Sequence, residues 1–146
     1  MIRRETDPEL VNAIANHPSV WPHLARDGKP IDFSPAFPAT QSSIVVLTNG
    51  EDAAQAYEQV ADRYWEVCTM FQDTCRGKRA LEVGREMRDF MEPYADVIFG
   101  KIPDALPHAK RFYRTLGGER VDRVENDTHY WTAGDGEELF AWQVKH

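Results

Sequence analysis

A basic turn in the middle of the chain combines residue types that bind anions. Arg76-Gly77-Lys78 follows the apolar segment 64–71 and stands at the start of a run with helical periodicity. The first turn of a helix presents N–H groups without intrahelical partners, and glycine lets a phosphate approach the backbone. The turn is therefore a candidate anion site, to which the two basic side chains add charge. The alternative is an ordinary helix start with solvated basic residues, and the local sequence leaves both open.

The helix after this turn is indicated by apolar residues every three to four positions, and Pro93 ends it. These apolar residues are Ala80, Val83, Met87, Phe90, Met91 and Tyr94. The order strand 64–71, helix 77–91, strand 96–102 is a β-α-β unit, so its two strands are predicted to be parallel. The candidate anion site then lies where the first of these strands ends.

The other elements surround this unit. The patterns predict strands at 2–5, 43–48, 120–125, 128–133 and 138–145, and helices at 8–15, 20–24 and 107–116. The last two strands flank a turn at 134–136, and the proline-containing passage 31–40 is expected to be extended or irregular. Segment 52–71 is ambiguous: its alanines favour a helix, whereas the Asn49-Gly50 turn before it favours a hairpin.

Composition and charge limit the classes of protein to which the chain can belong. The 146 residues predict one domain, and an apolar fraction of 42% is enough for a folded core. A net charge of -7 argues against a general nucleic-acid binder. The sequence contains no apolar run near the ~20 residues that span a bilayer and no apolar secretory segment at its start, so a cytoplasmic protein is expected.

The thiols and histidines do not form a recognisable metal or nucleophile motif. Cys68 and Cys75 are the two cysteines, and neither they nor the five histidines show metal-ligand spacing. A reduced protein without a metal is expected. No histidine lies close in sequence to Cys68, so this residue is interpreted as core packing and not as a nucleophile.

Two motifs resemble those of the GCN5-related N-acetyltransferase (GNAT) superfamily. That superfamily has Arg/Gln-x-x-Gly-x-Gly/Ala after its fourth strand and Asn-x-x-Ala-x-x-x-Tyr-x-x-Leu-Gly-Phe on the helix after its fifth. The chain retains Arg76, Gly77, Lys78, Ala109, Tyr113, Leu116 and Gly117. It departs from the two motifs at Arg79, Leu81, Leu106 and Gly118. The N-terminal helix pair, the proline-containing passage and the C-terminal hairpin resemble small GNAT-like proteins of bacteriophages.

The resemblance implies an α/β (α+β) fold in one domain over residues 1–146. Its central sheet is mixed and mostly antiparallel, strands four and five are parallel and splay apart, and about four helices flank the sheet. The resemblance also decides the ambiguous segment. It implies that 54–60 and 63–71 are strands three and four, joined by a tight turn at Ala61-Asp62.

The activity implied is transfer of acetyl from acetyl-CoA to an unidentified amine by direct attack, without a metal. Tyr113 matches the general acid that protonates the CoA sulfur, although it also suits a helix core position. Glu66 is the acidic residue on strand four best placed as a base, with a solvated strand position as the alternative. Backbone N–H groups of strand four would hold the pantetheine and those after it the pyrophosphate. The implied binding residues are Met70, Phe71, Arg76, Gly77, Lys78, Arg79, Ala80 and Leu81.

Two functions stay open at this point. One is the acetyltransferase, with acetyl-CoA and an amine as partners and with neither nucleic acid nor membrane. The other is a catalytically inactive GNAT-fold phage structural or interaction protein, which Arg79, Leu81 and Leu106 favour, since Arg79 places a side chain where the superfamily leaves the backbone bare for phosphate. A third option keeps CoA binding without transfer. A homodimer or a virion-related protein partner is the further partner hypothesis, and the host cytoplasm is the expected location if a phage encodes the chain. The superfamily places its first two helices beside the acceptor, which puts Trp21 and its neighbours at that cleft.

Overall fold

A computed structural model describes residues 1–24, 28–37 and 43–145, and a seven-stranded mixed sheet lies at its centre. The strands are β1 (Arg3–Arg4), β2 (Ile44–Thr48), β3 (Ala53–Ala61), β4 (Tyr64–Phe71), β5 (Val97–Pro103), β6 (Glu119–Val121), β7 (Val124–Glu125), β8 (Tyr130–Trp131) and β9 (Glu137–Gln143). The helices are α1 (Pro8–Ala15), α2 (Trp21–Leu24), α3 (Gly77–Met91) and α4 (Pro107–Thr115), with short 3-10 helices at Ser34–Ala36 and Glu92–Tyr94. The strand order is β1-β2-β3-β4-β5-β9-β6, and β7 and β8 form a separate pair.

The ambiguous segment 52–71 forms two strands, as the resemblance implied. The side-chain oxygen of Asn49 accepts hydrogen bonds from the backbone N–H groups of residues 51–53, which fixes the turn before β3. β3 then pairs with β2 on one side and β4 on the other. These pairings satisfy its backbone and override the helix propensity of its alanines. The turn after β3 lies one residue later than predicted, at Asp62-Arg63, where Arg63 has a φ of 62°.

The predicted parallel arrangement of β4 and β5 is confirmed. Residues 64–66 pair with residues 97–99, and β5 continues beside β9 to its end. The described pairing between β4 and β5 stops at Glu66, so the two strands separate beyond it. The edge of β4 that faces β5 is therefore open beyond Val67, over residues 68–71.

Helices cover both faces of the sheet and divide the core. α1 packs over β3 and β4, where Val11 and Ile14 are buried with Met70. α3 and α4 cover the other face, where Met87 and Phe140 are fully buried. Burial of each large apolar side chain contributes roughly 1.5–3 kcal/mol to the free energy of unfolding. These two interfaces are therefore the main source of stability. They also fix where α3 begins and which way α4 faces.

The C-terminal strands differ from the prediction. The expected strand 120–125 is two short strands in different sheets, and the expected strand 128–133 is reduced to β8. β9 does not pair with β8 in a hairpin but lies between β5 and β6. Residues 139–142 are buried on both faces, which suits a strand with neighbours on both sides, whereas Tyr130 in β8 is exposed.

The proline-containing passage 31–40 is described as far as Phe37, and its remaining residues lie outside the described ranges. Within residues 1–24, 28–37 and 43–145, no helix is long and apolar enough to cross a bilayer.

Candidate active site

A cavity of about 700 Å³ occupies the gap where β4 and β5 separate. Its lining includes Ser19, Val20, His23, Leu24, Glu66, Val67, Cys68, Thr69, Phe71, Arg76, Gly77, Ala80, Leu81, Lys101, Arg111, Tyr113 and Glu137. Side chains on β4 alternate between the two faces, so Glu66 and Thr69 reach the cavity from opposite sides of the sheet. The cavity therefore opens towards both faces, and its volume suits a small ligand. The cavity lining includes neighbours of Trp21, among them Val20 and His23, whereas the Trp21 indole donates to the carbonyl of Lys29 at 3.0 Å. That an acceptor binds beside this segment stays a prediction.

The start of α3 forms one end of the cavity and keeps its anion-binding groups available. The first helical hydrogen bond runs from the N–H of Ala80 to the carbonyl of Arg76 at 3.5 Å, so the N–H groups of residues 77–79 precede the helical ladder. The capping residue, Arg76, makes no side-chain hydrogen bond to these groups. Gly77 has a φ of 61°, and a Cβ built on it would meet no atom within 4 Å. The space in front of the turn is open.

The open edge of β4 forms a second wall. The N–H of Gln72 donates to the carbonyl of Asp52, the residue just before β3, at 2.9 Å. Backbone groups alternate in direction along a strand, so those of Met70 also face β3 and those of Phe71 and Thr69 face the gap. Of the two residues expected to hold the pantetheine, Phe71 thus lies at the cavity. Met70 lies away from it, with its side chain fully buried on the α1 side.

Arg79 does not occupy the space in front of α3. Its Nη2 donates to Asp52 Oδ1 at 2.8 Å and to Glu51 Oε2 at 3.1 Å, both in the turn before β3. Burial alone would raise the pKa of Asp52, but hydrogen bonds from Asn49, Arg79 and Thr74 hold it below its usual range. The Arg79 side chain is therefore paired with two carboxylates, and only its backbone N–H lies at the candidate anion site.

We expect Arg79→Ala to leave the affinity for acetyl-CoA within about threefold of the native value. The variant loses an ion pair whose Arg79 side chain is 46% exposed, so the melting temperature should fall by only a few degrees. Calorimetric titration and thermal unfolding measure the two effects. A tenfold loss of affinity would mean that the guanidinium leaves Asp52 to contact the ligand.

The other basic residues of the turn take different positions. Arg76 lines the cavity, and its Nη1 donates to the carbonyl of Phe71 at 2.8 Å, which holds the guanidinium across the end of β4. Lys78 is exposed beside the helix start. Arg111, on α4, lines the same cavity and was not singled out by the sequence. Together they place positive charge around the N-terminus of α3.

Glu66 reaches the cavity from the α1 side of the sheet. Burial raises the pKa of its carboxyl group, while the positive charge of Lys101 opposes this shift. The Lys101 Nζ lies 3.8 Å from Glu66 Oε2, an ion pair without a close hydrogen bond. Glu66 is thus a half-buried carboxylate that holds a proton more readily than a solvated glutamate does.

Tyr113 reaches the cavity from the opposite side, on α4. Its hydroxyl lies 2.5 Å from Thr69 Oγ1, and its ring packs against Trp142 at a centroid distance of 4.9 Å. Burial raises the pKa of the phenol, and the Thr69 hydrogen bond only partly opposes this. Tyr113 is accordingly protonated at neutral pH. It combines the two roles weighed from the sequence, since its ring belongs to the core and its hydroxyl lies at the cavity.

The thiols are not placed for nucleophilic chemistry. Cys68 borders the cavity, but burial raises its pKa to about 11, so it remains a thiol at neutral pH. Cys75 is fully buried, and burial raises its pKa too. In the part of the chain that the structure describes, no three His, Cys, Asp or Glu side chains are grouped closely enough to hold a metal ion.

Two polar residues of the site, Gln55 and Thr69, were missed by sequence reasoning. Gln55 is 3% exposed, and its Nε2 donates to Thr69 Oγ1 at 2.9 Å. The available signal was a glutamine between Ala54 and Ala56 in a strand of small apolar residues, because a buried polar side chain needs a partner. Its partner could not be named before the register of β3 against β4 was known.

Known structures match the chain over its whole length. An aminoglycoside acetyltransferase in complex with coenzyme A and kanamycin aligns with a TM-score of 0.70 and 16% identity, covering 98% of this chain and 94% of the other. The GNAT domain of PAT from S. lividans aligns with a TM-score of 0.69 and 15% identity, covering 98% and 89%. A chimera of the spermidine N-acetyltransferase SpeG from Vibrio cholerae and hSSAT aligns with a TM-score of 0.68 and 10% identity, covering 99% and 95%. The chain has the GNAT fold.

No protein-family model and no curated protein matches the sequence. The predicted GNAT architecture is confirmed, with a mixed sheet, parallel β4 and β5, and four flanking α-helices. No observation bears on the bacteriophage branch, which stays a prediction. Fold alone does not determine activity, so the function has to be argued from the cavity.

Proposed function

We propose that the protein is an N-acetyltransferase that moves the acetyl group of acetyl-CoA directly to an amine. One observation carries the proposal: a single cavity joins an uncapped helix N-terminus, an open strand edge, and Glu66 and Tyr113 on opposite faces of the sheet. Phosphates and a thioester require the first two features, and the proton transfers require the last two. A neighbour of the same fold has coenzyme A bound, which supports this choice of co-substrate.

The chain's binding groups match the parts of acetyl-CoA. The N–H groups of residues 77–79, together with Arg76 and Lys78, supply donors and positive charge for the pyrophosphate. Arg111 adds a guanidinium on the α4 side. The outward N–H groups of Thr69 and Phe71 supply donors for the pantetheine and for the thioester carbonyl, whose oxygen gains negative charge during attack.

Glu66 and Tyr113 divide the proton transfers between the two faces. Glu66 accepts a proton from the ammonium, and the free amine attacks the thioester carbonyl. The new C–N bond forms, the C–S bond breaks and its electron pair leaves with the thiolate, and the acylated nitrogen releases its second proton to water. Tyr113 then donates its hydroxyl proton to the thiolate. Acid and base lie on opposite sides of the reacting carbon, so neither obstructs the other.

We expect Glu66→Gln to lower kcat/KM by about 10²-fold at pH 7, because the amine loses its base. A raised pKa means that Glu66 becomes active only above the usual range for glutamate, so the native kcat/KM should rise with pH through an acidic limb. The variant should lack that limb, and its deficit should shrink at high pH, where the amine deprotonates unaided. Measurement of kcat/KM at about ten pH values, from about pH 5 to about pH 9.5, tests this.

Glu58→Gln is the matched control for this change. Glu58 lies directly opposite Glu66 in the β3–β4 register but is exposed and outside the cavity lining. Its negative charge helps to raise the pKa of Glu66, so the acidic limb of this variant should move to slightly lower pH while its plateau is kept. Its replacement should change kcat/KM by less than about twofold. Equal losses in the two variants would show that general surface charge, and not a base, is responsible.

The experiment that tests the proposal is release of free CoA thiol from acetyl-CoA in the presence of an amine panel. Kanamycin and spermidine belong in the first panel, since neighbours of the same fold are described with kanamycin bound or as spermidine N-acetyltransferases. Glu66 and Glu137 at the cavity favour a cationic acceptor. Amine-dependent thiol release supports the proposal, and its absence across cationic and neutral amines contradicts it.

The inactive alternative rested on Arg79, Leu81 and Leu106, and Arg79 was the residue expected to fill the phosphate site. The guanidinium instead pairs with Asp52 and Glu51, outside the cavity lining. The departure from the superfamily motif at this position therefore leaves the anion site open, which supports the enzyme over a protein that has lost CoA binding.

A further inference from the structure

A row of hydrogen-bonded side chains runs from the protein core to the cavity. The hydroxyl of Tyr57 donates to Gln55 Oε1, and Gln55 Nε2 donates to Thr69 Oγ1 at 2.9 Å. Thr69 Oγ1 lies 2.5 Å from the Tyr113 hydroxyl, and the distance allows either oxygen to be the donor. Which oxygen donates decides whether the Tyr113 proton points into the cavity or back towards the sheet.

Strand register holds this row in place. Gln55 lies directly opposite Thr69 in the β3–β4 ladder, and Tyr57 is two residues along the same face of β3. Gln55 and Tyr57 are 3% and 2% exposed, so neither can exchange its partner for water. The row therefore has one geometry.

The direction of the row follows from what surrounds Tyr57. A small cavity beside it is also lined by Arg88 and Trp142, whose Nε and Nε1 atoms are buried and without hydrogen-bond partners among the described residues. Both groups can only donate. Among the described residues, the acceptor that the Tyr57 hydroxyl reaches is Gln55 Oε1, so the carbonyl oxygen of the Gln55 amide faces Tyr57.

The orientation of the Gln55 amide also determines the hydrogen bonds at the cavity. With its oxygen towards Tyr57, Gln55 presents its NH₂ group to Thr69, and the Thr69 oxygen is an acceptor. The Thr69 proton then has the Tyr113 oxygen as its partner. The opposite orientation would bury the Tyr57 proton without an acceptor, which costs stability.

We infer that Gln55 and Thr69 are positioning residues that direct the hydroxyl proton of Tyr113 into the cavity. The inference rests on the proposed function for its chemical meaning, because only a proton that faces the leaving thiolate can be transferred to it. Once the thiolate has taken this proton, Tyr113 is a phenolate. The Thr69 hydroxyl already donates to that oxygen and stabilises the charge until a solvent proton restores the phenol.

A double-mutant cycle tests the inference. Thr69→Val keeps the shape and removes the hydroxyl, so kcat should fall about tenfold or more while the Kd for acetyl-CoA stays within about threefold. Thr69→Ser restores the hydroxyl and should recover most of the activity. If Thr69 acts through Tyr113, adding Thr69→Val to Tyr113→Phe should lower kcat no further. Independent, multiplicative losses would overturn the inference, as would native kcat in Thr69→Val.

A second measurement separates this inference from the proposed function. The ¹³Cζ chemical shift of Tyr113, recorded on the folded protein without substrate, reports the hydrogen bonding of the phenol oxygen. It should move downfield in Thr69→Val and in Gln55→Leu, because the phenol oxygen loses a hydrogen bond that it accepts, and remain near the native value in Thr69→Ser. An upfield move in Thr69→Val would mean that Tyr113 is the donor and would overturn the inference. If the native protein shows no turnover, the proposed function fails and this shift alone decides the hydrogen-bond direction. An unchanged shift in Thr69→Val would overturn it.

Discussion

Tyr113→Phe should lower kcat by about 10²-fold or more and leave the Kd for acetyl-CoA within about threefold. The change removes only the hydroxyl, and the ring keeps its contacts with Trp142, Phe112 and Phe140. The thiolate then has to take its proton from water, which is a poorer general acid in this position. Single-turnover rates and calorimetric titration separate the chemical step from binding.

The control for this prediction is Tyr94→Phe. Tyr94 is 56% exposed at the far end of α3, so loss of its hydroxyl should change neither kcat nor binding. The pH profile gives a second check. Because burial raises the pKa of Tyr113, it stays protonated across the working range and should add no basic limb near neutrality. A native kcat in Tyr113→Phe would contradict the prediction. The Tyr113 hydroxyl would then serve only as a hydrogen-bonding group of the core.

Gly77→Asp should reduce the affinity for acetyl-CoA by about 10²-fold or more. The change places a carboxylate in the open space before α3, where the proposal puts the pyrophosphate. Two like charges about 4 Å apart repel by about 4 kcal/mol at an effective dielectric constant of 20. An aspartate at a helix N-terminus is favourable, but any side chain is strained at the Gly77 φ of 61°, so the melting temperature should fall by a few degrees at most.

Gly77→Asn separates charge from shape. Asparagine and aspartate are nearly isosteric, and both tolerate the left-handed backbone that Gly77 adopts better than other residues do. The asparagine variant should therefore bind acetyl-CoA within about fivefold of the native protein. Equal losses in the two variants would mean that backbone freedom, and not phosphate binding, accounts for the glycine. Unchanged affinity in both would place the phosphates elsewhere.

Local patterns and the resemblance together predicted the centre of the fold. The bounds of α3 and the parallel pairing of β4 with β5 follow from apolar spacing and from the order strand, helix, strand. Residues 52–71 required the resemblance, since alanines alone favoured a helix. The end of the chain was less predictable. The turn before β9 favoured a hairpin with the preceding strand, but β9 is buried on both faces and lies between β5 and β6.

The site was predictable in its backbone and less so in its side chains. Arg76-Gly77-Lys78 marks the candidate anion site, because helix termini and glycine act locally. The partner of Arg79 lies 27 residues earlier in the chain, at Asp52, and no local pattern connects the two. Thr69 gains its role only through Gln55 on the neighbouring strand and Tyr113 on α4. Such contacts depend on register and helix packing, which the sequence does not display.

Calorimetric titration of the native protein with acetyl-CoA, and then with CoA, tests the central claim most directly. An open helix N-terminus beside an open strand edge should bind both ligands with a Kd in the micromolar range, since they share the phosphates and the pantetheine. Thermal unfolding with each ligand should show a matching rise in melting temperature. Absence of binding heat and of a thermal shift at millimolar ligand would contradict the account.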